Sequence, residues 1–131
     1  MIRLGLQDHR TNFRPGETIE GAALWECPKA PKRAEVRLLW FTQGKGTTDT
    51  ETVAREEFSN PLPGDTRTFT FTVPEAPYSF SGRLIALIWA VELVLEDEDE
   101  FQRISITVTP DGQEVSIPSV EKPDLPGLAT R

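Results

Sequence analysis

The chain has 131 residues and one cysteine, so it has the size of a single domain and cannot form an internal disulfide. Its formal net charge is −7, with 21 acidic against 14 basic residues, which argues against a nucleic-acid partner. The most apolar run, Leu84 to Leu95, is interrupted by Glu92 and is too short and too charged to span a bilayer.

The opening residues run straight into a strand pattern, with Ile2, Leu4 and Leu6 alternating with Arg3 and Gly5, and read as neither leader nor anchor. A polar turn follows, Gln7 to Asn12. The next strand, Thr18 to Glu26, sets Ile19, Gly21, Ala23 and Trp25 on one side. Ala34 to Thr42 places Val36, Leu38 and Trp40 opposite Glu35, Arg37, Leu39 and Phe41. Thr48 to Phe58, rich in Thr and charge, reads as an exposed or edge strand. Arg67 to Val73 alternates most cleanly, with Phe69, Phe71 and Val73 inward and three threonines outward. Gly82 to Glu96 is a long apolar strand, and Gln102 to Thr109 turns Ile104, Ile106 and Val108 inward.

Turn chemistry punctuates these runs at Pro15-Gly16, Pro61 to Asp65, Pro74 to Pro77 and Pro110 to Gly112. No segment sustains a helical period. The expectation is an all-β fold, a single antiparallel immunoglobulin-like sandwich of seven to eight strands over residues 1–117. Periodicity alone leaves a closed barrel open. The eighth strand, Glu114 to Ile117, is expected to return against the strand before it, and residues 118–131 form a Pro-containing tail.

Four stretches, in order, resemble the amino-terminal domain of arrestin-like proteins. They are Phe13-Arg-Pro-Gly-Glu-Thr-Ile-Glu-Gly21, Ala34 to Trp40, Phe69-Thr-Phe-Thr-Val-Pro74 and Pro77 to Glu92. In the first, Pro15 and Gly16 make the turn, Ile19 aims into the core, and Gly21 marks a close approach by another backbone or a large ring. The resemblance implies an arrestin-like sandwich and a general habit of protein binding. It does not extend to receptor, phosphate or cargo specificity, and an arrestin carries two such sandwiches where this chain has room for one.

Catalytic equipment is sparse. His9 is the only histidine, and nucleophilic catalysis would have to join it to Cys27 or Ser79. One His and one Cys cannot supply a zinc site, and no cofactor motif occurs. The acidic run Glu96 to Glu100 lacks the glycine and spaced ligands of a calcium loop and reads as a solvated hairpin tip. Gln43 to Asp49 lacks the spacing of a phosphate loop and reads as a hairpin contact loop. The expectation is therefore no catalytic, metal or cofactor residues and no enzyme activity.

What remains is apolarity on faces that should meet water. Leu39 and Phe41 on the third strand and Ile88 and Ala90 on the long strand fall opposite the core side chains. With Lys45 and Asp49 in the adjoining loop, these six are the candidate contact residues for a protein partner or a homodimer. The reading is a cytoplasmic protein-interaction module that binds across a sheet face or edge. One rival is a carbohydrate- or small-ligand-binding sandwich using exposed aromatics, with Tyr78 the ring most expected at the surface and Trp25, Trp40 and Trp89 expected in the core. The other rival is a self-assembling structural subunit.

Overall fold

A computed structural model describes residues 1–44, 48–82, 84–96 and 101–110, and the backbone of 115–116. The strands are β1 (Ile2–Leu6), β2 (Asn12–Phe13), β3 (Thr18–Glu26), β4 (Arg33–Gly44), β5 (Thr50–Phe58), β6 (Gly64–Thr72), β7 (Phe80–Ser81), β8 (Ile85–Glu96), β9 (Phe101–Val108) and β10 (Val115–Ser116). Among the described residues the only helical element is a 3-10 turn at Gln7–His9.

Two sheets form an all-β sandwich. The smaller has the order β1-β3-β6, entirely antiparallel. The larger is built on β4 and β8, antiparallel over their whole length from Arg33↔Glu96 to Gly44↔Ile85. Outside β4 lies β5. On its other side β8 pairs with β9 over Trp89–Val94 and with β7 at Ala86 and Leu87. β2 extends the sheet parallel to β9.

Alternation decides what meets between the sheets. Ile19, Ala23 and Trp25 of β3 face Val36 and Leu38 of β4 and Trp89, Val91 and Leu93 of β8, each fully buried. Buried indoles need acceptors, and both find them: Trp25 Nε1 donates to the Leu62 carbonyl at 2.8 Å and Trp89 Nε1 to the Pro77 carbonyl at 2.9 Å. Trp40 packs against the same core from a partly buried position. Gly21 sits opposite Phe69, whose ring occupies the space a Cβ would need. Arg67 covers the Phe58 ring and donates to the carbonyls of Ser59 and Asn60, which ties β6 to the preceding turn.

The structure departs from expectation at short or terminal pieces. β2 and β7 are two residues each and carry no periodicity of their own. β10 does not return against β9; it pairs in parallel with β7. Ile85 is 41% exposed where β8 begins, although it shares a face with the buried Leu87 and Trp89. The 118–131 tail and the tip of the acidic hairpin lie outside the described residues.

Candidate functional site

Two surfaces carry features a plain sandwich does not require. The first is the outer face of the larger sheet, which holds the expected contact residues. The register sets its side chains in rows. Glu57, Glu35, Val94 and Phe101 form one row across β5, β4, β8 and β9, and Arg55, Arg37, Glu92 and Arg103 form the next. Leu39 and Ala90 share the third with Thr52 and Ser105, and Phe41 and Ile88 the fourth with Thr50.

Glu35 and Glu92 are buried at 3% and 7% exposure, and each is ion-paired. Arg37 Nε donates to Glu35 Oε2, with Arg55 3.8 Å from the same oxygen. Arg103 donates to Glu92 at 3.0 Å, and Arg37 lies 4.0 Å from the other Glu92 oxygen. At the margin, Arg33 bridges Glu57 at 3.3 Å and Glu96 at 3.6 Å. The result is an acidic row against a mainly basic one, tied by ion pairs, beside the apolar rows of Leu39 and Phe41.

This arrangement corrects the expectation for two candidate residues. Leu39 and Ala90 are buried, at 2% and 0% exposure, so neither has surface to offer a partner. The cover includes a long side chain from a distant strand. Arg103 reaches diagonally from β9 until its guanidinium lies 4.9 Å from the centre of the Phe41 ring on β4. Its path crosses β8 at the row of Ala90, where a methyl leaves room beneath the arginine stem. Phe41 and Ile88 are half-buried, Asp49 is exposed, and Lys45 lies outside the described residues.

The second surface was not anticipated. A groove of about 460 Å³ runs along β1, lined mainly by Leu4, Leu6, Leu24, Ala22 and Ile104, with Arg3 and His9 toward its ends. Gly5 gives it depth, since a Cβ added there meets nothing within 4 Å. Among the described residues β1 pairs with β3 alone. Met1 and Glu26 exchange both backbone bonds, at 2.9 and 2.8 Å. Antiparallel alternation then turns the amides and carbonyls of Ile2, Leu4 and Leu6 to the open side. Sequence patterning finds a strand here but not an edge, because edges are fixed by which strands fail to pair.

The residues considered for catalysis are not brought together. His9 is at the groove, in a turn where Asp8 and His9 both have positive φ, 58° and 54°. Cys27 follows β3 at the opposite end of β1, beside Pro63. Ser79 is buried and its Oγ accepts the Val108 amide at 2.9 Å. Among the described residues no group of three or more His, Cys, Asp or Glu could hold a metal ion, and no helix is long and apolar enough to cross a membrane. Trp25 and Trp89 are fully buried and so provide no sugar platform, while Tyr78 is 41% exposed.

No protein-family model and no curated protein matches the chain. Among solved structures it is similar to Spo0M, a sporulation control protein from Bacillus subtilis, with 17% identity and a TM-score of 0.58. That similarity covers 82% of this chain and 48% of Spo0M, so the chain spans about half the length of that protein. A β-glucosidase from Listeria innocua, alone and with gluconolactone, is matched over 88% of this chain and 16% of its own. At 16% identity and TM-scores of 0.42 and 0.41, that likeness carries no inference. Spo0M has an arrestin-like fold, and the chain is, at the level of fold, an arrestin-like β-sandwich.

Proposed function

We propose that the domain is a non-catalytic interaction module that takes an extended segment of a partner protein along the open edge of β1. The carrying observation is the coincidence of strand backbone at Ile2, Leu4 and Leu6 that no described residue pairs with and an apolar groove beside it. A sheet edge supplies main-chain hydrogen bonds to an added strand, and a flanking groove selects its alternate side chains. The composition, with a single cysteine, supports a cytoplasmic setting.

Gly5→Trp tests this reading. The position lines the groove and is open, a Cβ there meeting nothing within 4 Å, and the new ring is expected to fill the groove. A displayed library of random peptides, selected on the wild-type domain, is expected to yield segments with alternating apolar residues, and Gly5→Trp is expected to lose at least about tenfold in their binding. Failure to enrich any peptide, or binding indifferent to the tryptophan, overturns it.

A further inference from the structure

The outer face of the larger sheet lies away from the β1 groove, and its charge pattern has a property of its own. Among the described residues its four arginines and four glutamates cancel, in a chain whose net charge is −7. Two copies of such a chain repel each other overall, and least where the local charge is zero. Nothing among the described residues covers this face: Phe101, Arg55 and Glu57 are each 58% exposed.

We propose that this face pairs with the same face of a second copy of the chain. Consider a two-fold axis between the facing sheets, perpendicular to the strands and midway between the Glu57-to-Phe101 row and the Arg55-to-Arg103 row. Rotation about it keeps each strand over its own counterpart and exchanges the two rows. Arg55 then faces the second copy's Glu57, and Arg103 faces its Phe101. Every such contact occurs twice, as a closed two-fold interface requires. Facing sheets lie about 10 Å apart and within about 30° of alignment, a separation and offset that opposed arginine and glutamate side chains can bridge near the axis. The overlap of four strands by four rows gives a footprint of about 500 Å² per copy, so the pairing belongs at the weak, concentration-dependent end of specific interfaces.

Sedimentation velocity on the full chain, from micromolar to near-millimolar concentration, reads this out. The weight-average mass is expected to rise toward that of a dimer. Arg55→Glu places like charges opposite each other at both symmetry-related sites and is expected to raise the dissociation constant at least about tenfold. Arg55→Glu combined with Glu57→Arg regenerates the opposed pairs and is expected to restore association. Phe101→Arg sets two arginines face to face and weakens it independently. All three side chains are exposed, and near-ultraviolet circular dichroism verifies that each variant is folded. A monomer mass at every concentration overturns the proposal. So does a dimer that ignores the single reversal, or a double exchange that fails to restore it.

Discussion

Gly21 lies directly across from Phe69 in the β3–β6 ladder, and a Cβ on the glycine would sit 2.6 Å from the phenylalanine Cζ and 2.5 Å from the Gly5 carbonyl oxygen. The ring can tilt, but the Gly5 oxygen belongs to the backbone of β1 and moves only with the strand. Gly21→Ala is therefore expected to destabilise the fold by about 1–3 kcal/mol, as overpacking does, measured by urea unfolding. Phe69→Leu in the same chain is expected to recover only part of that loss, because the backbone clash remains.

Trp89 is fully buried and donates to the Pro77 carbonyl. Trp89→Phe removes the donor and leaves a void, at an expected cost of about 2–4 kcal/mol by the same assay. Trp25 and Trp89 are also expected to emit in the blue and resist iodide quenching, leaving Trp40 as the more accessible ring.

The buried ion pairs predict that a paired substitution costs less than a single one. Arg37→Leu leaves the buried Glu35 carboxylate with Arg55 alone and is expected to cost about 1–3 kcal/mol. Replacing both residues, Glu35→Leu with Arg37→Leu, removes the charge together with its desolvation cost and is expected to be close to neutral. A double-mutant cycle on unfolding free energies checks this.

Acid should weaken the turn before β6. The Arg67 guanidinium, aided by the Leu62 and Thr66 amides, holds the Asp65 carboxyl below its usual range. Glu17 is lowered in the same direction, chiefly by the Arg14 amide. Both carboxylates favour the folded state when ionised, so their contribution is present above the usual carboxylate range and lost as pH falls through the folded values. Thermal midpoints should therefore drop below about pH 4. Asp65→Asn should be less stable than wild type at neutral pH, with the gap closing in acid.

Local chemistry is enough to find the strands that have room to alternate. The period-two run from Thr18 to Glu26 coincides with β3, and Pro15-Gly16 marks the turn where Gly16 takes a φ of 88°. Even the close approach at Gly21 was legible, because a glycine inside an alternating strand leaves a gap that a neighbour must fill. The two-residue strands β2 and β7 were not, since so short a piece has no period and is defined only by the strand it meets, and β10, expected as a strand, pairs with β7 rather than β9 for the same reason. The outer-face residues show the same division. Sequence placed Leu39, Phe41, Ile88 and Ala90 opposite the core, but only the lateral order of β4, β8 and β9 brings Arg103 over Ala90 toward Phe41. Alternation is a property of one strand and is written along it. Burial of an outer face and the opening of an edge depend on which strands lie side by side, and that is settled by long-range pairing in the folded chain.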